Sequence, residues 1–213
     1  MRKRVISLTA VAGVLAGASA LFARRGYLRW GATAQEALEE LPGDDLTPLA
    51  GLVATRAITI RARAADVWPW IAQLGQGRGG LYSYDFLENL AGCDMHSADH
   101  IVTVWQNIEV GDELRLHPEV PLEVVDVEPG RYLVVRGGVP MGDTPPPYEF
   151  TWAFVVREQA DGSTRLLVRE RYAYTRTWAP FLIEPVEAVS FFMSQKMLRG
   201  IRDRAERAAE PAS

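Results

Sequence analysis

The chain has few of the residues from which cross-linked or metal-organised proteins are built. A single cysteine, Cys93, among 213 residues excludes a disulfide framework within the chain and cysteine-rich metal sites. An excess of basic charge is also missing: the net charge is −4, so the chain as a whole has no electrostatic footprint for nucleic acid. No internal repeat or low-complexity tract is present. What remains is an ordinary globular composition, with 48% hydrophobic and 23% charged residues.

Charge is absent from one long stretch, residues 5–22, which basic residues flank on both sides. At about 1.5 Å per residue this run spans roughly 27 Å as a helix, near the hydrocarbon thickness of a bilayer. The arginines that follow it favour a single-pass membrane anchor over residues 1–26. The alternative is a secretory signal whose cleavage site is Ala18-Ser19-Ala20. The predicted localisation is therefore the membrane, and the balanced flanking charges leave open which side the rest of the chain occupies.

Residues 27–52 form a connector, in which Thr33 is predicted to cap a short helix with Glu36 three residues later. A Pro-Gly-Asp-Asp sequence at 42–45 then breaks that helix. The connector either separates the anchor from the domain or packs on the domain. The domain itself covers residues 53–209, and residues 210–213 are a short tail.

Periodicity within the domain predicts alternating strands and two helices besides a long closing one. The alternation of apolar and polar residues predicts strands at 55–61, 114–117, 122–127, 132–135, 148–157 and 165–174. Helical spacing predicts helices at 64–74, 84–90 and 181–209. In the last helix an apolar stripe is predicted to face the core, consisting of Leu182, Val186, Val189, Met193, Met197 and Ile201. Glu184, Glu187 and Ser194 are expected mostly on the other faces of that helix.

Several short motifs in this region resemble bacterial members of the SRPBCC superfamily, which includes START-like lipid carriers and polyketide cyclases. The motifs are Val-Trp-Pro-Trp at 67–70, Gly-Gln-Gly-Arg-Gly-Gly-Leu-Tyr-Ser-Tyr-Asp at 75–85, Gly-Cys-Asp-Met-His at 92–96, Val-Gly-Asp at 110–112, Val-Glu-Pro-Gly at 127–130 and Thr-Arg-Leu-Leu-Val-Arg-Glu at 164–170. The resemblance covers about residues 53–209. It implies an α+β helix-grip fold, in which a bent antiparallel sheet wraps around a long C-terminal helix and leaves a ligand cavity. It implies no particular reaction, so function must be inferred from the site.

A Gly-x-Gly-x-x-Gly sequence begins at Gly75 and matches the dinucleotide-binding fingerprint in its letters. That fingerprint requires a strand before it and a helix after it, whereas here a helix precedes it and an aromatic loop follows. We interpret it instead as a loop whose glycines permit positive φ angles, with a role as a lid over the cavity as the functional alternative. No cofactor is predicted.

The segment from Asp94 to His100 contains two carboxylates and two imidazoles within seven residues. Asp94 and His96 are weak candidates for an acid–base pair, because these groups exchange protons or bind a ligand. The favoured interpretation is a polar loop whose Asp and His side chains cap turns. A metal site is not predicted, since the spacing matches no metal-binding motif and the third histidine, His117, is remote.

Glu170 lies on the otherwise apolar face of its predicted strand, between Val168 and Tyr172. A carboxylate on an inward face requires a partner, and Arg136 is a candidate on the neighbouring strands. The pair is expected to act either as a structural brace or as a contact for a polar ligand head group. Glu170 is also a weak candidate for catalysis.

The rest of the predicted cavity wall is aromatic or flexible and apolar. The expected ligand-binding residues are Tyr82, Tyr84, Arg136, Trp152, Glu170, Tyr172, Met193 and Met197, since methionines adapt to varied apolar shapes. Cys93 is expected to be a small buried hydrophobe, because no activating base other than His96 is near it in sequence.

Three functions fit these features. The favoured one is a membrane-anchored protein that binds a small apolar or amphipathic ligand, such as a lipid, an isoprenoid or a polyketide-like molecule. The first alternative is an enzyme of the cyclase or hydratase type that uses Asp94, His96 or Glu170. The second is a structural or interaction module whose cavity is filled by its own side chains. The predicted partners are the ligand and, through residues 5–22, the membrane, but not nucleic acid.

Overall fold

The computed structural model describes residues 24, 26–139 and 144–210. The predicted anchor at residues 5–22 lies outside the described residues, so it stays a prediction. Within the part of the chain that the structure describes, no helix combines the length and the apolar character needed to cross a membrane.

Six antiparallel strands form one sheet in the order β1-β6-β5-β4-β3-β2. Their bounds are β1 Leu52–Ile60, β2 Glu113–His117, β3 Val120–Glu128, β4 Tyr132–Gly137, β5 Tyr148–Glu158 and β6 Thr164–Tyr174. Within the described residues, four helices with defined bounds accompany the sheet: α1 Ala34–Leu38, α2 Ala64–Ala72, α3 Asp85–Leu90 and α4 Ala179–Ala209. Short 3-10 turns lie at Asp44–Leu46 and Thr103–Trp105. The predicted α+β helix-grip architecture is therefore confirmed.

The inner face of the sheet carries the main core, as the period-two pattern of the two longest strands predicts. Phe150, Trp152 and Phe154 of β5 belong to the same buried cluster as Leu166 and Val168 of β6. Helices α2 and α4 cover this face, with Trp70, Leu198 and Ile201 among their buried residues.

Helix α4 approaches the loop after α2 closely enough that only glycine fits at one position. A Cβ atom added to Gly200 would lie 2.3 Å from the Tyr82 carbonyl oxygen. Tyr82 itself has φ 55, and its ring meets Trp70 edge-on with centroids 5.8 Å apart. The contact fixes the loop against the helix at the base of the inner face.

The connector packs on the outer face of the sheet. Leu41 is 3% exposed and forms a second apolar cluster with Ala57, Val155 and Leu167. Three arginines of β6 donate hydrogen bonds to the connector. Arg165 Nε donates to Glu36 Oε1 at 2.7 Å, Arg169 Nη2 donates to the Glu36 carbonyl at 2.7 Å, and Arg171 Nη2 donates to the Thr47 carbonyl at 2.9 Å. The connector is thus part of the folded unit.

The predicted cap of α1 is confirmed. The Thr33 side chain accepts from the Glu36 amide at 3.1 Å, and the Glu36 carboxylate accepts from the Thr33 amide at 2.7 Å. The same carboxylate binds Arg165, and chiefly this hydrogen bond lowers the pKa of Glu36 to about 2. A single acidic residue therefore caps the helix and attaches it to the sheet.

The predicted inward stripe of the last helix is wrong in its first half. Leu182, Val186 and Val189 are 41%, 54% and 61% exposed, whereas Glu187 and Ser194 are 1% and 4% exposed. The buried stripe runs through Ile183, Glu187, Ser194, Met197 and Ile201. The cause lies on β1, where Arg56 points inward with 0% exposure and requires polar partners from the helix that covers it.

Candidate ligand cavity

A cavity of about 510 Å³ lies between the inner face of the sheet, α3 and α4. Its wall comprises Leu81, Ser83, Glu88, Ala91, Cys93, Leu116, Leu122, Gly138, Val139, Tyr148, Phe150, Trp152, Glu170, Tyr172, Ile183, Val186, Val189, Ser190, Met193, Ser194 and Met197. Most of these side chains are apolar or aromatic, as in small-molecule sites generally. The space is of the size that such sites usually have, so the chain's own side chains leave room for a ligand.

The aromatic side of the wall is built by β5 and β6. Phe150 and Tyr172 lie side by side across the two strands with ring centroids 4.8 Å apart, and Tyr148 and Tyr172 are separated by 5.7 Å. Trp152 packs on Phe154 at 4.6 Å. These contacts hold the rings in place, so the wall is largely formed before any ligand enters.

Arg56, Glu170 and Glu187 form a buried ionic cluster beside the cavity. Arg56 Nη1 donates to Glu170 Oε1 at 2.8 Å, and Arg56 Nη2 donates to Glu187 Oε1. The Arg56 guanidinium also donates through Nε to the Tyr27 carbonyl at 3.2 Å. Burial opposes the charge of Arg56, but the carboxylates of Glu170 and Glu187 outweigh that cost and raise its pKa.

Glu170 lines the cavity, yet both of its oxygens are already occupied. Oε1 accepts from Arg56 and from Ser194 Oγ at 2.8 Å, while Oε2 accepts from Ser190 Oγ at 2.9 Å and from Tyr172 OH at 3.2 Å. Burial and the nearby Glu170 raise the pKa of Tyr172 well above its ordinary value, so the phenol remains a donor. Of the two predicted roles for Glu170, these four contacts favour the brace.

The arginine that pairs with Glu170 is Arg56, and the expectation that Arg136 would do so is wrong. The Arg136 side chain is exposed and lies 3.5 Å from Glu149 on the outer surface. It lines a separate groove rather than the apolar cavity. The alternation along β4 places Leu133 and Val135 in the main core, so Arg136 lies on the opposite face, which it shares with Tyr132 of the outer cluster.

The cluster contains two carboxylates and one guanidinium, so one carboxylate is favoured in its neutral form. Burial first, and then the charge of Glu170, raise the pKa of Glu187 to about 8. Glu187 Oε2 has no hydrogen-bond partner among the described residues. Near neutral pH we therefore assign a proton to Glu187.

A second carboxyl group, Glu88 of α3, lies on the cavity wall without a partner. Its side chain is 7% exposed, and neither of its oxygens accepts or donates a hydrogen bond within the described part of the chain. Burial first, and then the charge of Asp85, raise its pKa to about 7.

Cys93 also lines the cavity. Burial first, and then the charge of Glu88, raise the pKa of its thiol, as in a cysteine that no neighbouring base activates.

The structure brings together five of the eight predicted ligand-binding residues: Trp152, Glu170, Tyr172, Met193 and Met197 line the cavity. The other three lie elsewhere. Tyr82 is buried under Trp70, Tyr84 is 42% exposed beneath Lys196 at 6.0 Å, and Arg136 is on the surface.

Asp94 and His96 form a contact of their own outside the cavity. Their side chains lie 3.2 Å apart and are 73% and 81% exposed. His100 and Asp99 make a similar exposed pair at 2.8 Å. Among the residues that the structure describes, no group of three or more His, Cys, Asp and Glu side chains is placed to hold a metal ion.

The loop that begins at Gly75 closes on itself, as its glycines suggest. Two backbone hydrogen bonds of 3.0 Å join Gly75 and Gly80, and Gly75, Gly77 and Gly80 all have positive φ angles. No strand precedes the loop and no helix begins within it. This geometry agrees with the rejection of the dinucleotide fingerprint.

Sequence reasoning missed three residues of the site: Arg56, Glu187 and Glu88. A signal was present for Arg56, since the period of two places it on the same face of β1 as Ile58 and Ile60. Glu187 and Glu88 carried no equivalent signal, because a charged residue on a helix is usually solvated. Only the packing of the helices against the sheet reveals them.

No protein-family model matches the chain, and no curated protein matches it. Among solved structures, the chain is similar to the Zhui aromatase/cyclase from a Streptomyces species, R1128, with 15% identity over 76% of this chain and 98% of that one and a TM-score of 0.45. It is similar to protein Ms6760 from Mycobacterium smegmatis, with 14% identity over 76% and 93% and a TM-score of 0.45. It is also similar to protein MLL2253 from Mesorhizobium loti, with 12% identity over 72% and 97% and a TM-score of 0.42.

These similarities are distant. The fold is defined by the structure itself: a single antiparallel sheet of six strands, covered on one face by a 31-residue C-terminal helix, with a cavity between them. The chain therefore has a helix-grip fold.

Proposed function

We propose that this protein binds a small apolar or amphipathic molecule in the cavity between the sheet and α4. The observation that carries the proposal is the open space of about 510 Å³ with a mainly apolar and aromatic wall. Wall residues from β5, β6, α3 and α4 surround this space, so a ligand there would exchange water contacts for apolar contacts on several sides. An elongated lipid, an isoprenoid or a polyketide-like molecule has the matching chemistry.

A binding role is favoured over the enzyme alternative by the placement of the polar groups. Asp94 and His96 are exposed outside the cavity, and Glu170 is held by four internal donors. No histidine is among the wall residues, and the thiol of Cys93 has a raised pKa. The wall therefore offers apolar contact rather than a nucleophile with an adjacent base.

We also propose that residues 5–22 anchor the protein in a membrane, and the surface around the cavity supports this. An apolar rim is exposed on the two helices that border the cavity, consisting of Phe86, Leu87 and Leu90 of α3 and Phe181, Leu182, Val186, Val189 and Phe192 of α4. Exposed apolar patches of this kind mark interaction sites, including sites for membranes.

Arg24, which follows the uncharged run in sequence, lies close to this rim. Arg24 Nη2 lies 3.2 Å from Glu184 Oε1, on the same helix as Phe181 and Val186. Only one residue separates Arg24 from the end of the uncharged run at Phe22, and a step of two residues spans at most about 7 Å. An anchor in a bilayer would thus hold the rim and the cavity near lipid, from which an apolar ligand enters.

The proposal is tested by the binding of the neutral fluorophore N-phenyl-1-naphthylamine to the full chain in a fluorinated surfactant, which mixes poorly with hydrocarbon. We expect saturable enhancement of fluorescence, and mass spectrometry of an organic extract of the purified protein should show a co-purified apolar molecule. Met193→Trp should abolish probe binding, because the half-buried Met193 side chain lines the cavity and indole would fill the space.

Leu38→Trp is the matched control, because Leu38 is 77% exposed on α1, which packs on the opposite face of the sheet. It should bind the probe as the unmodified chain does. Equal binding by the unmodified chain and Met193→Trp, with both proteins folded, would place the probe elsewhere and refute the proposal.

A further inference from the structure

Glu88 is the carboxyl group of the cavity wall whose hydrogen-bonding capacity is unused. It is 7% exposed, and both of its oxygens lack a partner in the described part of the chain. Glu170, by contrast, accepts four hydrogen bonds from side chains. A buried polar group without a partner carries a desolvation cost, and native proteins seldom keep such a group without a use for it.

Asp85 and Asn89, the polar neighbours of Glu88 on α3, form hydrogen bonds with the loop that follows the helix. Asp85 accepts from the Ser97 amide at 2.8 Å and from Ser97 Oγ at 2.6 Å. The Asn89 amide group donates to the Met95 carbonyl at 2.9 Å. Because these contacts fix the loop, neither side chain is free to turn toward Glu88. Glu88 is one of the residues that line the cavity, so a molecule in the cavity is the partner nearest to hand for its carboxyl group.

Trp152 adds a second unsatisfied group to the same wall. Its side chain lines the cavity, its residue is 6% exposed, and its indole Nε1 has no hydrogen-bond partner among the residues described. An indole N–H only donates, whereas a carboxyl group accepts and, when protonated, also donates. The wall thus leaves one donor and one carboxyl group available to a molecule that is otherwise surrounded by apolar side chains.

We propose that Glu88 is a ligand-contacting residue and that it receives the hydroxyl group of a mainly apolar alcohol or phenol. This assignment rests on the proposed function, because it names the polar group of the molecule that the cavity takes. A hydroxyl group donates to the ionised carboxyl group and both donates to and accepts from the protonated one.

Other head groups fit this position less well. The pKa of Glu88 is raised to about 7, so both of its protonation states are populated near neutral pH. A carboxylate ligand would be repelled by the ionised state and by Asp85, and a cationic amine would lose its hydration in an apolar cavity. A hydroxyl group is compatible with both states and costs less to desolvate than an ion.

The test compares ligands that share one apolar body: hexylphenol, hexylanisole, hexylbenzylamine and hexylbenzoic acid. Each competes with N-phenyl-1-naphthylamine for the full chain in the fluorinated surfactant at pH 7. We expect the phenol to bind about tenfold more tightly than the anisole, as one good hydrogen bond in a desolvated site allows. Glu88→Met should bind the phenol and the anisole about equally well. Its affinity for the anisole and for the fluorophore should stay within a factor of about two of that of the unmodified chain.

Two further variants control the substitution. Glu123→Met makes the same change at an exposed position of β3, and it should keep the tenfold preference. Glu88→Gln retains a group that donates and accepts, so it should also keep a preference for the phenol and serves if Glu88→Met does not fold. Both variants are checked for native tryptophan fluorescence before titration.

The outcomes separate this inference from the proposed function. If the fluorophore fails to bind the unmodified chain, the proposed function fails and this inference with it. If the fluorophore and the anisole bind but the phenol gains nothing, or if Glu88→Met keeps the preference, the cavity stands and the assignment of Glu88 is overturned. A larger gain for the amine or the acid than for the phenol would overturn the hydroxyl class.

Discussion

The buried cluster of Arg56, Glu170 and Glu187 leads to a prediction that a single salt bridge would not. Two carboxylates face one guanidinium, and the second carboxylate is kept neutral because ionising it would place two negative charges around one positive charge. Either carboxylate is able to neutralise Arg56. We therefore expect Glu170→Gln and Glu187→Gln each to be tolerated near pH 7, because the remaining carboxylate keeps or takes the charge.

The double substitution removes both carboxylates and leaves Arg56 buried without a counter-charge. Breaking a buried ion pair in this way costs about 3–5 kcal/mol. We expect the double variant to lose about that much free energy of unfolding beyond the sum of the single variants, at pH 7. Adding Arg56→Met to the double variant should restore most of the loss, since no unpaired charge remains.

The pH dependence of Glu187→Gln provides a second check on the same reasoning. The pKa of Glu187 is about 8 in the folded chain and 4.5 in its ordinary state, so its contribution to stability is fully present below pH 4.5 and is lost as pH rises through 8. Glutamine does not titrate. From pH 4.5 to pH 8.5 the free energy of unfolding of Glu187→Gln should therefore rise relative to the unmodified chain, by roughly 4 kcal/mol at 1.36 kcal/mol per pKa unit.

Urea unfolding followed by tryptophan fluorescence measures both effects, because urea carries no charge and leaves the cluster unscreened. If the double variant loses only the sum of the free energies of unfolding that the single variants lose, Arg56 draws its counter-charge from another group. A pH profile of Glu187→Gln parallel to that of the unmodified chain would show that Glu187 is ionised throughout, and the assignment of the proton would then be wrong.

Three further predictions concern the scaffold and the rim. A chain that begins at Leu46 should unfold at a lower urea concentration than one that begins at Gly26, because it lacks Leu41 and the Glu36 and Asp44 partners of the β6 arginines; equal midpoints would show that the connector adds no stability. Gly200→Ala should lower the free energy of unfolding by about 1–3 kcal/mol although alanine favours helices, because its Cβ would meet the Tyr82 carbonyl at 2.3 Å; a rise in circular-dichroism melting temperature would contradict that packing. With Cys93 replaced by alanine, a polarity-sensitive fluorophore at Phe181→Cys should shift to the blue when the full chain enters lipid vesicles, whereas the same label at Leu38→Cys should not; identical spectra at both positions would remove the case for the rim at the membrane.

The sequence was informative wherever a local period is enforced by one-sided burial. The alternation in β5 and β6 predicted their extents and inner faces, because a one-residue slip would turn every core side chain outward. The capping box of Thr33 and Glu36 was predictable for a different reason, since both of its hydrogen bonds lie within one turn. Trp152 of the cavity wall followed from the inner face of β5, and Met193 and Met197 followed from the apolar stripe predicted for the last helix.

The polar part of the site could not be predicted in this way, because it depends on long-range packing. Glu170 was identified from its strand face, but its partner Arg56 is 114 positions away on β1 and its other contacts come from α4. The inward face of α4 departs from its most apolar stripe because Arg56 attracts Glu187 and Ser194. A hydrophobic period alone places Val186 and Val189 inward, and the structure leaves them at the rim.

By itself, the sequence determined the order of strands and helices and the aromatic inner face of β5, because these depend on periods of two and 3.6 residues along the chain. The helix-grip fold was expected from the resemblance of its motifs to the superfamily. Only the tertiary structure decided which charged groups lie inside. A charged group away from water depends on the groups that the fold places beside it. Arg56 pairs with Glu170, the pKa of Glu187 is raised, and Glu88 has no hydrogen-bond partner among the described residues.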